Sequence, residues 1–155
     1  MATPDTTLAA ERQLLASLTE LLHEEQRVLV AADADSLLDL TARKTQLVQQ
    51  LAAQAAERHR QLAAAGFEAA EAGMEPWLAA HGSAAAQADW DKLLDAAREA
   101  KELNRINGML INKHMAHNQQ LLGALGAQAA EADSAVYGPG GLTIGAGPSK
   151  RFVLG

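Results

Sequence analysis

The residues able to hold a metal in this chain are five histidines and nineteen acidic side chains, since it has no Cys. Glu20-x-x-His23 has the spacing that puts both side chains on one helix face, as in half of a carboxylate di-iron bundle. Such a site needs a second copy, and none of His59, His81, His114 or His117 has a Glu three residues before it. His114 and His117 also share a helix face, but two imidazoles fall short of the three or four ligands of a useful site. Both pairs read more simply as solvated or groove side chains. No metal and no other cofactor is expected, and a metal-carrying bundle using Glu20, His23, His114 and His117 stands as an alternative. The run Gly141-Leu-Thr-Ile-Gly145-Ala-Gly147-Pro-Ser-Lys150 resembles a phosphate loop only loosely. It lacks the Gly-Lys-Ser/Thr core, and no strand precedes it or helix follows it to build a backbone nest. The five serines sit in no nucleophile-elbow pattern and there is no His-Glu-x-x-His. No catalytic residue is expected, and the chain does not read as an enzyme.

Two other features ask for an explanation. In Asn104-Arg-Ile-Asn107-Gly108-Met-Leu-Ile111 a polar pair and a glycine fall on or beside a helical seam. Glycine costs roughly 1 kcal/mol relative to Ala in a helix interior. Close approach of a neighbouring backbone would offset that, with Asn104 or Asn107 bonding across the contact and fixing register. A frayed, solvent-facing Asn-Gly turn is the plainer alternative. The second feature is a charge gap: from His114 to Ala130 there is no Asp, Glu, Lys or Arg. Met115, Leu121, Leu122 and Leu125 lie in it, so this helix end is either packed inside, simply solvated, or left for a partner.

The elements that carry these residues follow from composition. Ala, Leu, Glu, Arg and Lys fill 82 of 155 positions, against 5 Val, 3 Ile, 2 Phe, 2 Trp and 1 Tyr. Strong helix formers therefore dominate, and the β-branched and aromatic residues of a sheet are too few. Leucines at 8, 15, 22 and 29 with 14, 18 and 21 make a heptad stripe. Glu11 and Glu25 interrupt it at seam-type positions, which predicts an edge open to solvent. A reversal is expected over Ala31–Ser36, where Asp33 and Asp35 can accept backbone N–H bonds and Ser36 with Asp39 has capping-box spacing. A second helix carries Leu37, Leu40, Leu47, Val48, Leu51, Ala55 and Leu62, stops at Gly66, and runs back along the first. Gly73, Pro76 and Gly82 punctuate a connector with one short helix around Trp77 and Leu78. A third long helix starts near Ser83–Asp89, with its seam read at Trp90, Leu94, Ala97, Lys101, Asn104, Gly108, Ile111, Met115, Asn118, Leu122, Leu125 and Ala129.

The fold class is thus all-α, an elongated antiparallel bundle of three long helices plus one short helix, with a flexible Gly/Pro-rich C-terminal tail. Residues 1–133 form the bundle domain and 134–155 the mobile tail, whose composition cannot offset its ordering entropy. A net charge of −6 offers no basic surface to phosphates, so nucleic acid is not an expected partner. No run reaches the roughly 18 to 20 apolar residues of a membrane span, and Met1–Ala10 lacks the basic and apolar regions of a signal peptide. A soluble cytoplasmic location without membrane insertion is expected.

Several of these segments taken together resemble the FlgN-type flagellar type III export chaperones. The resemblance rests on the early Leu-rich helix with Glu25 near its end and on Asp35-x-Leu37-x-x-Leu40-x-x-x-Lys44-x-x-Leu47. It rests also on Pro76-Trp77, on Asn104-x-x-Asn107-Gly108-x-Leu110-Ile111, and on Tyr137-Gly138-x-x-Gly141. It implies a chaperone that binds the C-terminal segments of two hook-filament junction proteins, prevents premature assembly, and delivers them to the export gate. By the same resemblance Leu121, Leu122, Leu125, Val136, Leu142 and Ile144 would contact cargo and Tyr137 the gate. A coiled-coil adaptor that oligomerises through the first two helices is a further alternative, and a homodimer stays open.

Overall fold

The computed structural model describes the backbone of residues 2–137 and the side chains of residues 2–126. A short 3₁₀ turn, Pro4–Thr7, leads into α1 (Leu8–Ala31). Then come α2 (Ala34–Ala64), a second 3₁₀ turn at Glu71–Gly73, α3 (Met74–His81) and α4 (Ala84–Tyr137). Among the described residues there is no strand. Three long helices and one short one match the all-α expectation. The chain divides into two compact units, residues 1–112 and 113–155, and α4 runs from one into the other. Of the expected tail, 134–155, the first four residues continue α4, and everything from 138 on lies outside the described residues.

Each helix end has a local cause. Ala32 takes the left-handed conformation, φ 55°, and closes α1 with its N–H on the carbonyls of Leu29 and Val28. Asp33 is the N-cap of α2 and accepts from the Ser36 backbone N–H at 3.2 Å and from its hydroxyl at 2.7 Å. The cap thus sits one turn earlier than the Ser36/Asp39 spacing suggests. Gly66, φ +85°, ends the turn after α2. In the connector a Cβ on Gly73 would lie 2.0 Å from the Glu68 carbonyl oxygen, so only glycine fits that close approach. Ser83 accepts the Ala86 N–H through its hydroxyl and starts α4.

In the first unit the core joins Leu8, Leu15, Leu18 and Leu22 of α1 to Leu62 of α2. Met74, Trp77 and Leu78 of α3 and Ala86, Trp90, Leu93 and Ala100 of α4 complete it. Leu47, Leu51, Phe67 and Leu103 pack against its margin. The buried stripe of α4 therefore runs through Ala86, Trp90, Leu93, Ala100 and Asn107, while Ala97, Lys101, Asn104, Met115, Asn118, Leu122 and Leu125, read as seam positions, are exposed. From Leu93 onward this seam lies one residue earlier than the periodicity suggested. The ambiguity is physical: Leu93-Leu94 and Ala96-Ala97 are adjacent pairs of like residues, and either member satisfies a spacing of three or four.

Candidate functional site

The first heptad stripe is closed where an open edge was expected. Glu11 and Glu25 are buried among its leucines, and each meets a base from α2. Arg58 Nε and Nη2 donate to the two Glu11 carboxylate oxygens at 2.9 and 3.0 Å. Lys44 Nζ lies 3.3 Å from Glu25 Oε1. The two acids are fourteen residues apart and so are the two bases, as two heptads on each of two antiparallel helices require. Both charged layers thus specify one register for the α1–α2 hairpin. A shift by one turn would strand a buried carboxylate, which costs several kcal/mol.

Arg58 is only 2% exposed and joins more than one pair. Its guanidinium also donates to Glu71 at 2.8 and 3.3 Å, and it stacks over the Trp90 ring, 4.8 Å from the centroid. Trp90 Nε1 in turn donates to Glu75 Oε1 at 2.9 Å, and the Thr7 hydroxyl donates to Glu11 Oε1 at 2.7 Å. One buried cation so ties α1, α2, the connector and α4 together. Burial works against its charge, but the bonds to Glu11 and Glu71 outweigh that and hold its proton more tightly than usual. Partial burial would raise the Glu71 carboxyl, yet the hydrogen bond and charge of Arg58, with His59 Nε2 at 3.0 Å, hold it below its ordinary value.

The second layer gathers Glu25, Lys44 and Asn107, from three different helices. Asn107 is fully buried, and its Nδ2 donates to the Leu22 carbonyl at 2.8 Å and to Glu25 Oε1 at 2.9 Å. Its Oδ1 is the one buried side-chain oxygen without a hydrogen-bond partner among the described residues. The bond across the contact belongs to Asn107, and Asn104 is exposed and takes no part. The close-approach account of Gly108 fails, because a Cβ there would meet nothing within 4 Å. Gly108 lies beside the seam, not on it.

The charge-free stretch of α4 is different in kind. Leu121, Leu122 and Leu125 are 49%, 69% and 60% exposed, with Met115 exposed beside them in sequence. At 100° per residue, Met115, Leu121, Leu122 and Leu125 fall within about 120° of the helix circumference. They make one apolar stripe. Of the other residues proposed to meet cargo or gate, Val136 and Tyr137 lie in the last turn of α4, where only the backbone is described. Leu142 and Ile144 lie outside the described residues. Among the described residues no three His, Asp or Glu side chains gather where they could hold a metal ion. Glu20 and His23 are both exposed, and Glu20 borders an open groove with Arg43 and Gln46. No described helix is long and apolar enough to cross a membrane.

The buried layers were missed because an acid on an apolar stripe looks like a gap in it. The matched fourteen-residue spacing of Glu11/Glu25 and Lys44/Arg58 was the signal that could have revealed them. Among known proteins, no curated protein and no solved structure matches the chain. A family model described as FlgN protein matches residues 1–143, and the chain belongs to that family.

Proposed function

We propose that this member of the FlgN family, a family of flagellar export chaperones, holds the C-terminal segments of hook-filament junction proteins on the charge-free part of α4. One observation carries the reading: Leu121, Leu122 and Leu125 stand exposed on one helix face, with no Asp, Glu, Lys or Arg in the sequence from His114 to Ala130. An apolar stripe left in water is stabilised by an amphipathic segment laid along it. Val136, Leu142 and Ile144 extend the contact, and Tyr137 meets the export gate. The work is binding and release in the cytoplasm, without a cofactor and without catalysis.

Titration calorimetry of the full chain with the C-terminal peptide of a junction protein tests this directly. Binding at micromolar concentration with a negative heat-capacity change is expected, since apolar surface is covered. No heat up to high micromolar peptide would remove the basis of the reading. The Tyr137→Ala variant is expected to keep peptide affinity within about twofold while losing export of the cargo in cells. A parallel loss of both would place Tyr137 in the cargo contact instead.

A further inference from the structure

α2 turns a second heptad seam toward water. Leu38, Ala42, Thr45, Gln49, Ala52 and Ala56 follow one another at spacings of four, three, four, three and four, and fall within about 80° of the helix circumference. All six are exposed, Leu38 at 73%, whereas the buried residues of the same helix are Leu40, Arg58 and Leu62. In this heptad frame the positions beside the seam are Asp39, Gln46, Ala53 and Arg60 on one flank and Thr41, Val48 and Ala55 on the other. The first flank thus holds one acid near its start and one base near its end, and the second holds no charge. Among the described residues no base pairs with Asp39, and Arg60 pairs only with Glu57 of its own helix. Antiparallel helices bring like flanks together, and parallel helices bring opposite flanks together. With Asp39 beside Arg60 of another copy, a two-fold axis falls between Gln49 and Gln50 and generates the same pair a second time. The next row round the helix repeats the inversion of sign, with Arg43 early and Glu57 late. A parallel pair would set Asp39 and Arg60 against the uncharged flank and gain neither contact.

We infer that the outer face of α2 docks antiparallel on α2 of a second copy of this chain, with Leu38 and the small side chains in the seam and Asp39 on Arg60 of the other copy at both ends. The charge pattern is what selects this occupant, because one helix supplies both halves of each pair and only the antiparallel direction joins them. Ala42, Thr45, Ala52 and Ala56 let the two axes approach to about 8 Å. The seam is about 27 Å long and covers less than the roughly 800 Å² per partner of a stable complex. The dimer is therefore weak and dissociates on dilution. The contact lies on α2, away in sequence from the α4 stripe, and does not depend on the export reading.

The test is sedimentation equilibrium of the full chain from about 10 μM to about 1 mM. The mass is expected to rise over that range from that of one chain toward that of two. Asp39→Arg and Arg60→Asp each set like charges together at both ends of the contact, and each should weaken the dimer at least about threefold. The double variant Asp39→Arg/Arg60→Asp restores opposite charges and leaves the net charge of the chain unchanged, so it should dimerise within about twofold of the parent. Thermal midpoints of the three variants within about 3 °C of the parent show that the fold is kept, since all the exchanged side chains are exposed. A chain that keeps the mass of one copy at about 1 mM, a dimer indifferent to either single exchange, or a double variant no tighter than the singles would each overturn the inference. So would a dimer lost on replacing Leu121, Leu122 and Leu125 by Gln, which would put the contact on α4.

Discussion

Arg58 carries two carboxylates, one buried and one open to water, and the two have different consequences. Glu11 lies inside the bundle with Arg58 as its only basic partner among the described residues. Arg58→Met therefore leaves a buried carboxylate uncompensated, and a loss of about 3–5 kcal/mol in urea unfolding is expected. Glu11→Leu combined with Arg58→Met removes both charges and should recover most of that loss, because a buried pair repays little more than its own desolvation. A double variant as unstable as Arg58→Met alone would show that the guanidinium acts through Trp90 and Glu71 instead. Glu71 is a matter of pH. Its folded value is depressed, so its contribution is complete above the ordinary carboxylate range and is lost as pH falls through the lowered value. Glu71→Gln should thus be less stable than the parent chain at pH 7, with the gap closing as pH falls below the ordinary carboxylate range. A gap that stays constant across that range would separate Glu71 from the linkage. The difference between the two curves is the readout, since every other ionisable group is common to both chains.

Among the helices, two backbone positions run against residue preference, and each invites the opposite exchange. Ala32 sits at φ 55° to end α1, a conformation that costs an L-residue with a Cβ roughly 1–2 kcal/mol. Gly108 occupies the interior of α4, where an added Cβ meets nothing within 4 Å. Ala32→Gly and Gly108→Ala are each expected to stabilise the chain by about 0.5–1 kcal/mol, read as a rise in denaturation midpoint at constant slope. Asn107→Ala should do the reverse, by about 1–3 kcal/mol, since it opens a gap and takes a donor from Glu25 and from the Leu22 carbonyl. Destabilisation by Gly108→Ala would mean that the glycine serves a contact these helices do not show. The contrast between Gly108 and Asn107 also marks what sequence could disclose. Helix number, the α1–α2 reversal and the Trp77 helix were legible because leucine spacing, Asp33 and Pro76 are strong local signals. The α4 seam was not, because alanine has nearly the same cost on either face and gives periodicity little to act on. Buried charge was not legible either: a Glu on a stripe declares itself only through its partner, and Arg58 is forty-seven residues from Glu11. The cargo and gate residues were placed by resemblance, not by any local pattern except the charge gap.

Across the described residues, the packed core and the exposed leucines Leu121, Leu122 and Leu125 reside in different stretches of chain, although Val30, Leu38, Val48 and Met109 are exposed in the first unit as well. The core and both charged layers are built from residues of the first unit, whereas among residues 113–126 no side chain is buried. A helical segment with no buried face and no i,i+4 ion pairs would be marginal alone. Here it continues a helix already nucleated in the first unit, so it has no need of a core of its own. Its leucines are then free to be chosen for something other than folding. Replacing Leu121, Leu122 and Leu125 together by Gln, a residue of similar helix propensity, separates the two roles. The thermal midpoint should move by less than about 3 °C, because exposed substitutions cost little. Affinity for a junction-protein peptide should fall at least about tenfold, the equivalent of 1.4 kcal/mol of lost burial. A large drop in midpoint would make these leucines part of the fold. An unchanged affinity with an unchanged midpoint would send the search for the cargo surface elsewhere on the chain.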